Sequence, residues 1–325
     1  PCGYEGSLVT VEVDLRRGSP AVDVVGLADG AVKEARERMQ AAIRNSGFDF
    51  PPERVLISLS PADLKKEGAG FALPIALSVL AANEISENSS DNFMSDSVLI
   101  MGELELSGKI RAVKGVHAAC STAQACGISR CIVPQGNADE AREVTGMLVY
   151  GADTLSDALN ALKNPDCFSA SRHVTDEQGL PAGSVLIDGV YFGPVMEGFE
   201  FSELRGQEKL VRALQIAAAG GHNLMAVGAP GCGKTMAVQK LPALLPLLTK
   251  EEAQSVTRIW SLAGILQPSE PIIRTPPFRM PHSTATLEGL CGGGPQCRPG
   301  EISLAHNGVL FLDEAAEFRT TVLQT

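Results

Sequence analysis

Residues 8–15, "LVTVEVDL", alternate apolar and polar positions and predict a half-buried strand. "AVDVVG" at 21–26 predicts a second strand. "DGAVKEARERMQAAIRNSG" then takes on helical spacing: Val32, Ala35, Met39, Ala42 and Ile43 fall on one face, and Gly47 supplies a C-terminal stop. "RVLISLSP" predicts a third strand, and "FALPIALSVLAAN" a mostly buried helix whose Pro74 fits only near its first turn. "VLIMGELELSGKIRAV" predicts a hairpin turning at Ser107-Gly108. Helix 114–126, the short strand "CIVP", helix 137–145, the strand "MLVYG" and helix 154–162 follow. Such alternation indicates an α/β or α+β domain of roughly 160 residues.

The stretch "NPDCFSASRHVTDEQGLPAGS", 164–184, has weak periodicity and many small, polar and helix-breaking residues, and predicts a linker. A second domain opens after it at "FSELRGQEKLVRALQIAAAGGHNLMAVGAPGCGKT". Here "NLMAV" predicts a short apolar strand and "KTMAVQKLPALL" a helix. Between them Gly228, Ala229, Pro230, Gly231, Cys232, Gly233, Lys234 and Thr235 fit the phosphate-loop pattern G-x-x-x-x-G-K-[ST] at every fixed position. Glycines let the backbone wrap a phosphate chain with its N–H groups turned inward at a helix N-terminus. Lys234 is the residue to reach the β- and γ-phosphates of a nucleoside triphosphate, and the Thr235 hydroxyl the one to meet Mg²⁺. A Gly-rich loop that merely closes a βα unit does not explain the lysine.

Near the end of the chain, "GVLFLDE" predicts a buried strand running into Asp313 and Glu314. Paired with the phosphate loop, Asp313 is placed to hold the Mg²⁺ and Glu314 to orient and activate an attacking water. An Asp-Glu pair points to ATP hydrolysis coupled to work, rather than phosphoryl transfer to a small acceptor. The expected catalytic groups are therefore Glu314 and Lys234, and the expected metal-binding groups Thr235 and Asp313.

Composition narrows the remaining choices. The chain of 325 residues is long enough for two cores, and its 44% hydrophobic and 20% charged residues describe an ordinary globular protein. A net charge of −11 speaks against nucleic-acid binding by bulk electrostatics, although a local basic surface is compatible with it. No run of 18 apolar residues is present, so no membrane span is expected, and the first residues carry no basic n-region followed by an apolar stretch. Eight cysteines without C-x-x-C pairs or zinc spacing indicate free thiols in a cytoplasmic protein.

The second domain resembles an AAA+ ATPase and, more narrowly, the Mg-chelatase-like group. The likeness lies in its phosphate-loop block, in "PFRMPHSTAT" and in "RPGEISLAHNGVLFLDEAAEF". The first domain, through "VVGLADGAVKEARERMQAAIRNSGFDFP", "PADLKKEGAGFALPIAL" and "GELELSGKIRAVKGV", resembles the N-terminal domain of YifB/ComM-type proteins, which shares its fold with the Lon protease domain. The resemblance implies three segments: a Lon-protease-like α+β domain over 1–163, a linker over 164–194, and the first part of an AAA+ α/β domain over 195–325. It implies ATP and Mg²⁺ as ligands and a homo-hexamer that works on DNA as a branch-migration helicase in transformation or recombination. A chelatase-type motor acting on a protein partner is the alternative. It further implies that a water-positioning polar residue, an arginine finger and a helical lid lie beyond Thr325.

Lon-type peptidases use a Ser–Lys pair. The corresponding stretches here read Glu67-Gly68-Ala69-Gly70 and Lys114-Gly115-Val116-His117, with no serine and no matching lysine. Without a nucleophile no acyl-enzyme forms, so the first domain reads as a non-proteolytic scaffold. Lys65 and Lys66 read as a solvated pair, Trp260 as packing, and His222 and Arg205-Gly206-Gln207 as neighbours of the adenine side of the site.

Overall fold

The computed structural model describes residues 6–26, 30–61, 69–87, 93, 96–170, 180–194, 201, 204–229, 231–267, 270–294 and 297–324. The chain divides into two compact units, one of residues 1–173 with 264–271 and the other of 174–263 with 272–325. Both are mixed α/β.

In the first unit, β1 (Thr10–Arg16) and β3 (Arg54–Ser60) pair antiparallel from Thr10↔Ser60 to Arg16↔Arg54. Between them in sequence, β2 (Ala21–Val25) and α1 (Gly30–Asn45) form a crossover that returns the chain parallel to β3, giving the order β1-β3-β2. The period of two works as expected: Val55, Ile57 and Leu59 of β3 are buried while their neighbours are not. From α1, Met39, Ala42 and Ile43 sink completely into the same core, and Gly47 follows in the left-handed region at φ 83°. The helix α2 (Ala72–Glu87) is buried on most sides, through Leu73, Ile75, Ala76, Leu77, Val79 and Leu80. A helix apolar all round belongs in a core, and Pro74 sits in its first turn, where no intrahelical N–H is needed.

The hairpin expected over 98–113 divides in two. The short strand β4 (Leu99–Ile100) leaves to run parallel with β7 (Arg130–Pro134), and only β5 (Glu103–Leu104) and β6 (Ile110–Arg111) form the hairpin, with Gly108 at φ 83°. The cause lies at Gly102. Its N–H donates to the Gly70 carbonyl at 3.3 Å and its carbonyl accepts from Leu73 N at 3.2 Å, so the backbone is committed to the start of α2 rather than to a strand partner. Helices α3 (Val116–Ala125) and α4 (Ala138–Arg142) pack on the second sheet, in which β8 (Leu148–Ala152) runs parallel to β7. After α5 (Leu155–Lys163), β9 (Ser169–Ala170) closes that sheet antiparallel to β8, in the order β4-β7-β8-β9. A reciprocal cap starts α5: Thr154 Oγ1 accepts from Asp157 N at 3.2 Å, and Asp157 Oδ2 accepts from Thr154 N at 3.0 Å.

The second unit begins with a tight ribbon, β10 (Val185–Ile187) and β11 (Val190–Phe192), turning through Asp188 and Gly189, both at positive φ. Helix α6 (Glu208–Gly220) buries Leu214 and Ala217 and ends at Gly221 in the left-handed region. Then come α7 (Lys234–Gln239) and α8 (Lys250–Ala263). On α8, buried Thr257 accepts the Ile273 N–H at 2.9 Å, and Trp260 Nε1 donates to the Leu304 carbonyl at 3.2 Å. The remaining elements are β12 (Phe278–Arg279), α9 (Leu287–Cys291), the glycine-rich pair β13 (Gly292–Gly293) and β14 (Arg298–Pro299), α10 (Glu301–Leu304), β15 (Val309–Leu310) and α11 (Thr320–Leu323).

Candidate functional site

One small core fixes the geometry of the site. Leu214 of α6, Ala237 and Val238 of α7 and the adjoining Leu241 are buried together, with Phe278, Val309 and Phe311 packed against them. Strands β12 and β15 pair in parallel, Phe278↔Val309 and Arg279↔Leu310, and the ladder continues through Phe311 N to the Arg279 carbonyl at 2.8 Å. Gly308 permits this approach, because a β-carbon there would overlap the Pro277 carbonyl oxygen. Arg279 is anchored by a two-pronged bond to Glu301, at 2.6 and 2.8 Å. That hydrogen bond, partly opposed by burial, raises the guanidinium pKa above its ordinary value.

The phosphate-loop motif leads directly into α7. Gly231 and Gly233 adopt φ of 75° and 83°, backbone that a side chain would strain, and Lys234 and Thr235 are the first two residues of the helix. Gly228 and Ala229 are exposed; Pro230 lies outside the described residues. The Lys234 ammonium donates to the carbonyls of Gly228 at 2.9 Å and Ala229 at 2.8 Å, and stands 3.5 Å from Cys232 Sγ. From the other side of the core, Asp313 Oδ2 accepts the Thr235 hydroxyl at 2.9 Å, although the two residues are far apart in sequence. Asp313 Oδ1 accepts the Glu314 N–H at 3.0 Å. Glu314 itself is exposed and holds φ 51°, a left-handed conformation uncommon outside glycine and asparagine.

The helix expected over "KTMAVQKLPALL" stops at Gln239, ahead of Pro242, whose ring cannot continue it. Two further expectations need correction. "NLMAV" forms no strand: residues 222–229 are irregular and exposed, Met225 at 87% and Val227 at 84%. A strand exists only through a ladder partner, and among the described residues none pairs with this segment. The strand expected over "GVLFLDE" spans only Val309–Leu310, with Phe311, Leu312 and Asp313 half-buried beyond it. The loop and the acidic pair nonetheless meet.

The sequence places Gln207 beside the adenine side of the site but does not show its bond to the phosphate loop. Its Nε2 donates to the Cys232 carbonyl at 2.5 Å, between the residue before α6 and the middle of the loop. His222, next to the loop, folds its ring back over Gly220. His282 Nδ1 takes part in a local turn with Thr284. In the stretches that correspond to the Lon-type pair, Ala69 opens a 3₁₀ turn through Phe71, Gly115 precedes α3 and His117 is buried; residues 62–68 lie outside the described residues. Among the described residues no group of three or more His, Cys, Asp or Glu could hold a metal, and no helix is long and apolar enough to cross a membrane.

Two family models match the chain. One described as magnesium chelatase, subunit ChlI, covers residues 200–325; another, described as subunit ChlI of Mg-chelatase, covers residues 11–137. Similarity to individual proteins runs almost end to end. YifB of Escherichia coli K12 is 39% identical over 322 residues, which is 99% of this chain and 59% of YifB. Competence protein ComM of Haemophilus influenzae is 38% identical over 322 residues, 99% of this chain and 60% of ComM. Over almost its whole length the chain is similar to YifB/ComM-type, Mg-chelatase-like proteins. An uncharacterized Mycobacterium tuberculosis protein is also 38% identical over 323 residues, 99% of this chain and 60% of its own length. This Mg-chelatase-like chain thus spans about 60% of the length of the curated relatives it matches.

Proposed function

We propose that the second unit binds Mg-ATP between the loop 228–235 and the acidic pair Asp313-Glu314, and hydrolyses it to drive work on DNA. The observation that carries this reading is the 2.9 Å bond between Thr235 Oγ1 and Asp313 Oδ2. It gathers a hydroxyl and a carboxylate, both hard oxygen donors, beside the loop lysine, and this is the donor set Mg²⁺ takes when phosphate oxygens and water complete its octahedron. Thr235 and Asp313 are the residues to hold the ion, which when bound neutralises charge on the β- and γ-phosphates.

The chain's own groups divide the remaining tasks. Lys234 leaves its two carbonyl partners and places its charge on the phosphates. Glu314, exposed beside Asp313, is the base for a water approaching the terminal phosphorus. The first unit then serves as a non-proteolytic scaffold, since Ala69 stands where a nucleophile is needed.

DNA is favoured as the substrate by the relative named as a competence protein, and a ring of subunits, a hexamer in this reading, by the AAA+-type family. A chelatase-type motor acting on a protein is the second reading, favoured by the two magnesium chelatase descriptions. The deciding experiment measures ATP turnover by the whole protein with and without branched or single-stranded DNA, at two salt concentrations. A rise in turnover with DNA, weakening steeply as salt increases, supports the motor on DNA. A rate indifferent to DNA transfers the reading to a protein partner.

A further inference from the structure

Gln207 immediately precedes α6, yet its side chain makes no cap to that helix. It reaches 25 residues along the chain to the Cys232 carbonyl instead, at 2.5 Å, and is half-buried there. A carbonyl only accepts, so the NH₂ end of the amide must face it. Cys232 lies between Gly231 and Gly233, both in the left-handed region. That backbone has unusual freedom, and one bond from outside the loop removes it.

The direction of the bond matters because a trans peptide is planar, with its C=O and the following N–H pointing opposite ways. By holding the Cys232 carbonyl toward α6, Gln207 sends the Gly233 N–H away from α6. We propose that Gln207 is a positioning residue for phosphate: it aims the Gly233 N–H into the loop, where that N–H bonds the phosphate chain of the nucleotide. This rests on the nucleotide reading above and differs from the adenine-side role that the sequence suggests for residues 205–207. The base is not what Gln207 serves.

A probe that has phosphates but no base separates the two roles. Dissociation constants are measured for Mg-ATP, and for inorganic tripolyphosphate by competition, on the whole chain carrying Gln207, Gln207→Glu or Gln207→Met. Both substitutions keep the length of the side chain and remove its donor at neutral pH. The thermal midpoint without ligand is recorded for each. Expected is a loss of about 5- to 10-fold, typical of one net hydrogen bond, equal for ATP and tripolyphosphate, with the midpoint unchanged within a degree. A loss confined to ATP places Gln207 on the base and overturns the proposal. Unchanged affinities, or a loss that follows a lowered midpoint in both variants, make the bond a structural staple and also overturn it. Failure of the wild-type chain to bind either probe removes the nucleotide reading itself, and this proposal with it.

Discussion

Thr235 and Asp313 stand 78 residues apart in sequence and share a hydrogen bond of 2.9 Å. The bond joins the start of α7 to the end of the β15 segment, and a local change at either end is expected to be felt at the other. In a double-mutant cycle with Thr235→Val and Asp313→Ala, Mg-ATP affinity should show a coupling of about 0.5–3 kcal/mol, as for residues in direct contact. Additive losses measured by calorimetry would separate the two residues functionally.

Replacing Lys234 by Ala should lower ATP affinity on the order of 100-fold, the scale of a lost charge-assisted bond. Folding should be unaffected, because the bonds Lys234 makes are to carbonyls that water can satisfy in the exposed loop. Calorimetric titration together with a circular dichroism melt reads both quantities.

Glu314 is the one member of the acidic pair with a conformational cost. Its φ of 51° costs a side chain about 1–2 kcal/mol relative to right-handed backbone, and such strain gathers at functional positions. Glu314→Gly should therefore raise stability by about 1 kcal/mol while abolishing ATP turnover. Glu314→Gln should keep ATP affinity and lose turnover by about 10²-fold or more. Turnover that survives both changes would remove Glu314 from the chemistry.

Much of this was legible in residue order, for identifiable reasons. Alternation in β3 and the spacing of Met39, Ala42 and Ile43 report burial against a face of the same unit, so a local pattern suffices. "NLMAV" carries an equally good apolar pattern, but a strand is a relation between two segments, and residues 223–227 have no such relation among the described residues. The motif residues are recognisable because phosphate chemistry restricts their types. The bond from Gln207 to the loop is not, because its partner is a backbone carbonyl, which any residue supplies.

The first unit should show no peptidase activity on unfolded protein, and no serine within 58–72 should be labelled by a serine-directed covalent inhibitor. Position 69, the closest counterpart of the nucleophile, is Ala69. Mass spectrometry after inhibitor treatment reads this, and a labelled serine in that window would reopen proteolysis.

The reciprocal cap of α5 gives a stability control remote from nucleotide chemistry. Thr154→Ala leaves the Asp157 N–H without its acceptor and should cost about 1 kcal/mol in chemical denaturation. ATP affinity should not change.

Asn307 and Gly308 have a consequence for sequence variation. Asn307 holds φ 53° and Gly308 lies against the Pro277 carbonyl, so the first position favours asparagine, aspartate or glycine and the second admits glycine alone. If this segment were randomised and selected for ATP binding, position 308 should return unchanged although it is five residues from Asp313. Its surroundings, Glu301 and Arg279 included, could drift only as matched pairs. A glycine with no chemistry of its own would be as invariant in such a population as the lysine of the loop, because the pairing of β15 with β12, from which the chain runs on to Asp313, leaves no room there for a side chain.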